Sequence, residues 1–277
     1  MPINFNMVLK QAGVSPEDVR LLRHKDNRAK KGCTPYELWR DNRPQFEAYQ
    51  SHQSISNREK LTAPYWASFV GTPNDETMFV GLYSVKYDGL SKEDEPKPHM
   101  DEISKAGEAD VYVLTPADLL TEFIEKLIVD WGPGALAWVQ YAVRQDKPIL
   151  ELRTAFKEEN FPGFLEFIQP LSKINSVPRD WQNRLTESKG VYLLTCPRTK
   201  EHYIGSATGE DGFWGRWQHY IRDGHGGNVG LKSRDLSDYQ VTILEVAGTA
   251  LSDDEIRNRE FLWMAKLQSR TMGLNRC

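Results

Sequence analysis

The sequence predicts an α+β protein in two parts, and three observations lead there. Short runs rich in Tyr, Trp, Phe and Val alternate with Gly/Pro/Asn/Asp clusters, the composition of antiparallel strands and their turns. Ser or Thr followed three residues later by an acid recurs ahead of apolar runs, the signature of capped helices. The charge balance shifts near residue 180: from Arg184 onward 13 basic residues stand against 12 acidic, and before it 22 stand against 27. We expect a mixed α+β domain with a mainly antiparallel sheet over residues 1–180 and a second domain over 181–277.

Composition narrows the class. With 277 residues, 39% hydrophobic and 27% charged, the chain is long enough for one large core or two small ones. Collagen-like, mucin-like and wholly disordered chains are excluded. The longest apolar runs, such as 135–139, are far too short to span a bilayer, so no membrane partner is expected. The first residues show no basic segment followed by an apolar one. Cys33, Cys196 and Cys277 lie far apart in no metal-binding spacing, which points to a reducing, cytoplasmic setting. The net charge of −4 requires any polyanion binding to be local and helped by a divalent cation.

The elements follow in order. Ser15-Pro16-Glu17-Asp18 reads as a helix start ahead of Val19, Leu21 and Leu22. Thr34-Pro35-Tyr36-Glu37 starts another helix, running to about Tyr49. Between them Arg20, Arg23, His24, Lys25, Arg28, Lys30 and Lys31 form a basic run that would meet phosphates or lie as a solvated face; Arg28, Lys30 and Lys31 are the candidate nucleic-acid contacts. Tyr65-Trp66-Ala67-Ser68-Phe69-Val70, a turn over 71–75 and residues 78–87 form a hairpin. Residues 91–108 are charged and proline-bearing and read as an exposed loop; 111–114 read as a strand, Thr115-Pro116-Ala117-Asp118 as a helix cap, and Ile149–Leu152 as a strand. This alternation is similar to a small barrel of the PUA/EVE kind, in which Tyr65, Trp66, Trp131 and Trp138 would either line a pocket for a modified base or form core. Residues 161–178 read as a connector, and 179–185 as a short helix.

Beyond Lys189 the chemistry-bearing residues concentrate. Gly190-Val191-Tyr192-Leu193-Leu194 is a strand, and His202-Tyr203-Ile204-Gly205 returns beside it, bringing Tyr192 and Tyr203 within reach. A helix follows over 212–220, with Arg216 and Tyr220 four apart on one face. Residues 239–246 give a third strand. Ser252-Asp253-Asp254-Glu255 caps the last long helix, where Ile256, Glu260, Trp263, Met264 and Leu267 share a stripe. A carboxylate in that stripe either meets a cation or donor or lies at its edge with its head in water.

Gly190-Val191-Tyr192 and Tyr203-Ile204-Gly205, with Arg216, Glu260 and Asn275 in that order, resemble the GIY-YIG nuclease family, with Val in place of Ile. The resemblance covers about 189–277. It implies a three-stranded antiparallel sheet flanked by helices, and a catalytic set of Tyr192, Tyr203, Arg216, Tyr220, Glu260 and Asn275. In that set Tyr192 acts as base or proton relay, Tyr203 bonds the site and Arg216 pairs with the scissile phosphate. Tyr220 stands where the family carries Tyr or His, and Glu260 ligates a single Mg²⁺ or Mn²⁺. Asn275 anchors the fold or contacts the site. His219, beside Tyr220, would take the supporting role if the helix register shifted; His225 lies in a glycine-rich loop.

Elementary chemistry agrees with these types. Phosphodiester hydrolysis needs an aimed nucleophile and positive charge on the phosphate oxygens. Arg supplies a permanent planar fork, and a lone carboxylate suits a hard, oxygen-loving cation completed by water and phosphate. The expectation is an endonuclease acting on DNA, of restriction or defence type, with the first domain choosing sequence or modified bases. The alternatives are a catalytically silent nucleic-acid-binding protein, a DNA-repair nuclease or an RNA-cleaving one. Double-strand cutting would call for a homodimer or two binding events.

Overall fold

The computed structural model describes residues 3–25, 33–97, 100, 102–133, 137–156, 158–223 and 239–275. Two compact units divide it, residues 1–157 and 158–277. Both combine helices with mainly antiparallel sheet. Among the described residues no helix is long and apolar enough to cross a membrane.

The first unit opens with helix α1 (Phe5–Gln11) and strand β1 (Val19–His24), followed by α2 (Pro35–Asp41), α3 (Arg43–Ser51) and β2 (His52–Ser54). Then come β3 (Tyr65–Gly71), β4 (Thr77–Leu90), the short pair β5 (Glu95–Pro96) and β6 (Ile103–Ser104), β7 (Ala109–Pro116), β8 (Leu127–Val129), β9 (Val139–Tyr141) and β10 (Ile149–Leu152). The main sheet runs β10-β8-β4-β3-β1-β9, with β7 joining β4 to β2. The expected hairpin is β3 against β4, Ala67 opposite Leu82.

Three local readings are corrected. The residues after Pro16 form a strand, preceded by a single 3-10 turn over Pro16–Asp18. All six residues of β1 are buried: Val19 and Leu21 pack in one core cluster and Leu22 in another, and the strand lies between β3, to which it is parallel, and β9. A strand covered on both faces shows no alternation, and its apolar run is easily read as helical. Arg20, Arg23 and His24 are therefore no solvated basic run; the Arg20 guanidinium lies 3.9 Å from the Tyr141 ring centre and that of Arg23 5.1 Å from Trp131. The Thr34 capping box forms, with the Glu37 amide donating to Thr34 Oγ1 at 3.2 Å, but the helix stops at Asp41. Pro44 has no N–H and its ring clashes with the preceding turn, so Asn42 caps a second helix instead. Finally, Thr115 and Pro116 do not cap a helix; they extend β7, paired with Ser84 and Tyr83 of β4.

The four candidate pocket aromatics separate. Trp66 is buried beside Leu22, Leu61 and Tyr112, with Trp138 packed on that cluster. Trp131 is buried with Phe69 and Leu127, with Tyr65 packed there. Trp66 and Trp131 are thus core residues of two different clusters, and Trp138 and Tyr65 are half-buried, one against each.

The second unit contains β11 (Ile168–Pro170), α4 (Arg179–Thr186), β12 (Gly190–Thr195), β13 (His202–Ala207), α5 (Gly212–Asp223), β14 (Gln240–Val246), α6 (Asp253–Lys266) and α7 (Ser269–Met272). Its sheet has four strands in the order β11-β14-β12-β13, one more than the sequence suggested. The extra strand comes from the stretch read as a connector: Ile168 pairs with Thr242. Phe167, Ile174 and Val177 join Trp181, Tyr192 and Trp217 in one core, with Phe167 stacked on Trp217 at 5.4 Å. Residues 158–180 thus pack with the second unit. The opposite face of the sheet packs Val191 and Ile204 against Met264 of α6.

Candidate active site

Two glycines set the site's geometry. Gly190 begins β12 with φ at 155°, and a Cβ there would overlap the Glu245 carbonyl oxygen of β14 and lie 2.9 Å from Phe213. Gly205 faces Tyr192 directly across the β12–β13 ladder. A Cβ on Gly205 would fall 2.6 Å from Tyr192 Cζ, closer still to its hydroxyl, and 3.0 Å from Tyr203 Cε1. Both tyrosine rings therefore meet over a position where only hydrogen fits. The Tyr192 ring is held in turn by the edges of Phe213 and Trp217, with centres 6.5 and 6.0 Å away.

Helix α5 completes this face. Its stripe buries Phe213, Trp217 and Tyr220, and Arg216 sits one turn before Tyr220. The Tyr192 and Tyr220 hydroxyls lie 2.9 Å apart. Arg216 Nε donates to the Tyr192 hydroxyl oxygen at 3.1 Å, and Nη2 reaches that of Tyr220 at 3.4 Å. Burial pushes the Tyr192 phenol well above its usual range, and the Arg216 charge only partly offsets this. Tyr220 is raised too, by burial first and then by the oxygens of Tyr192 and Tyr203. Burial works against the Arg216 charge, yet the surrounding tyrosine oxygens outweigh it and hold the guanidinium more firmly protonated than usual. The result is one fixed positive charge beside two neutral phenols. His219, by contrast, is exposed, and the neighbouring Tyr220 takes the inner position.

The other face of β13 carries the carboxylate. Strand alternation turns Ser206 away from Gly205 and toward α6, where its hydroxyl donates to Glu260 Oε2. Burial raises the Glu260 carboxyl, while the Ser206 bond and the Arg216 charge pull it down. Glu260 thus lies across the edge strand from the tyrosine pair, close enough to feel Arg216. Among the described residues no three His, Cys, Asp or Glu side chains gather into a metal cluster.

Asn275 locks that edge strand. Its Oδ1 accepts from the Ile204 amide at 3.0 Å and its Nδ2 donates to the Ile204 carbonyl at 2.8 Å. The side chain stands in for a neighbouring strand between Tyr203 and Gly205, so it anchors the fold. The sequence did not single out Ser206, nor the pair Gln218 Nε2 to Asn175 Oδ1 at 2.6 Å that ties α5 to the segment before α4. Ser206 was visible in principle, since it follows Gly205 on the alternate face; nothing in the sequence marks Asn175. Arg28, Lys30, Lys31 and His225 lie outside the described residues.

No family model and no curated protein matches the chain. Among solved structures, the chain is similar to the catalytic domain of intron endonuclease I-TevI, in a mutant form. The two are 24% identical over 32% of this chain and 94% of that one, with a TM-score of 0.27.

Proposed function

We propose that the second unit is a divalent-cation-dependent endonuclease that hydrolyses phosphodiester bonds in DNA. The observation that carries this reading is the Tyr192–Arg216–Tyr220 constellation, a buried-side guanidinium bonded to two phenol oxygens, with the Glu260 carboxylate across the same strand. A permanently charged guanidinium, held in place by two phenol oxygens, is suited to the charge that builds on a phosphate in the transition state. Tyr192 is neutral and fully buried, so we assign its hydroxyl the holding of the Arg216 guanidinium rather than contact with the attacking water. Tyr220 and Arg216 fix the direction of the Tyr192 hydroxyl, and Tyr203 closes the site from β13. Glu260 is the residue that would hold Mg²⁺ or Mn²⁺. The donor set fits such an ion, since a half-buried carboxylate opposed by its own desolvation gains from a hard cation that water and phosphate oxygens complete. Bound there, the ion supplies positive charge to the phosphate oxygens. The first unit selects the DNA, and a restriction or defence role, with sequence or base modification as the selected feature, is the setting we favour.

The test is cleavage of unmodified plasmid, base-modified phage DNA and structured RNA, each with Mg²⁺, Mn²⁺ or EDTA. Discrete fragments from one DNA type, lost with EDTA and in Glu260→Ala and Arg216→Ala, are expected. Intact substrates throughout with DNA still bound would replace this reading with that of a recognition protein. Cleavage of RNA alone would replace DNA as substrate.

A further inference from the structure

We infer that Ser206 is the positioning residue that holds Glu260 in its cation-binding pose, and that edge strand β13 sets the spacing between the cation site and the tyrosine pair. The inference rests on the proposed nuclease reading and deepens it. A glutamate on a helix has three rotatable side-chain bonds, and a monodentate site loses affinity when they are free to wander. The Ser206 hydroxyl removes that freedom by donating to Oε2. A hydroxyl can do this without competing for the ion's charge, because it gives a proton to one oxygen and leaves the carboxylate's negative charge in place.

The dipeptide Gly205-Ser206 then serves both halves of the site. Gly205, by lacking a side chain, lets Tyr192 and Tyr203 close on one face. Ser206, one residue on and pointing the other way, holds the carboxylate on the opposite face. Asn275 fixes the backbone just before this dipeptide through both polar groups of Ile204. β13 ends the sheet and carries Gly205, against which Tyr192 packs, and Ser206, which holds Glu260, so a shift of β13 would disturb both contacts at once. Ser206 touches neither the phosphate nor the reacting water in this scheme; it acts through Glu260.

The experiment uses the full-length chain and Mn²⁺ alone as probe, with bound Mn²⁺ read by electron paramagnetic resonance in the absence of DNA. Ser206→Ala is expected to weaken Mn²⁺ binding by about 10–100-fold, the usual cost of losing a partner that orients a metal ligand. Ser206→Thr, which keeps the hydroxyl and suits a strand, is expected to restore binding to within a few-fold of the wild type. In the cleavage assay, the Mg²⁺ concentration giving half-maximal rate rises by a similar factor in Ser206→Ala, and the maximal rate returns at saturating Mg²⁺. Wild-type Mn²⁺ affinity in Ser206→Ala, with Glu260→Ala binding lost, overturns the role of Ser206 and leaves the nuclease reading standing. Equal loss in Ser206→Ala and Ser206→Thr also overturns it, since packing would then be the cause. Unchanged binding in Glu260→Ala overturns both the inference and the cation site on which it rests.

Discussion

Replacing Gly205 by Ala tests the site geometry most directly. The added methyl would lie 2.6 Å from Tyr192 Cζ, where an ordinary contact begins at 3.4 Å, so the ring must retreat by about 0.8 Å. Tyr192 is completely buried, with Phe213, Trp217 and Tyr220 around it, and has no open space to enter. A retreat of that size stretches the 2.9 Å bond to Tyr220 and the 3.1 Å bond from Arg216 beyond hydrogen-bonding range. Overpacking costs about 1–3 kcal/mol, and each lost bond about 0.5–1.5 kcal/mol more. The sum, roughly 2–6 kcal/mol, lowers the melting temperature of the second unit by about 6 °C or more. Differential scanning calorimetry of the full-length chain reads this, with Gly209→Ala as control, since nothing lies within 4 Å of a Cβ at Gly209. Cleavage by Gly205→Ala is expected to be lost even below its melting temperature. A melting temperature within about 2 °C of the wild type would refute the claim that Tyr192 needs this glycine.

Three further outcomes are expected. Asn275→Ala removes both partners of Ile204 and costs about 2 kcal/mol or more; faster hydrogen exchange at the Ile204 amide checks it, and unchanged exchange counts against the strand-mimicking role. Tyr220→Phe lowers the cleavage rate while His219→Ala does not, because only Tyr220 bonds Tyr192; the reverse order in a rate comparison would return the supporting role to His219. His24, surrounded by Phe46 and Tyr49, is driven by burial down to about 3, with a Gln50 bond partly opposing. An unfolded His protonates near ~6.5, so the unfolded state holds the extra proton below that pH and the first unit loses stability as pH falls toward 3, by up to ~1.4 kcal/mol per pH unit. Urea midpoints from pH 7 to 4 should fall less steeply in His24→Gln, and parallel slopes would remove His24 as the cause.

Where local and tertiary signals agreed, the sequence was readable. The β12–β13 hairpin and the Ser252 capping box of α6 stand as expected, because alternation and capping are local and nothing distant competes. Arg216 and Tyr220 met at the site because a helix fixes the relation of residues four apart. β1 was misread because burial on both faces erases the period that distinguishes strand from helix. Residues 161–178 look like a connector because Pro162, Gly163, Pro170 and Pro178 interrupt them, yet Phe161, Phe164, Phe167 and Ile174 each pack in or on the second core. Ser206 was passed over for a different reason: its importance lies in a partner 54 residues away, and no spacing rule links a strand serine to a helix glutamate.

The contacts that complete the site close successively longer stretches of chain. Tyr192 and Tyr220 are 28 residues apart, Ser206 and Glu260 54, and Ile204 and Asn275 71. During synthesis from the N-terminus the tyrosine pair can therefore form first, the carboxylate can dock only after α6 has emerged, and β13 is sealed last. Until Asn275 arrives, the Ile204 amide and carbonyl present an open strand edge, the kind that recruits another chain. A single late amide thus governs both when the centre becomes complete and how long a nascent chain is exposed to mispairing.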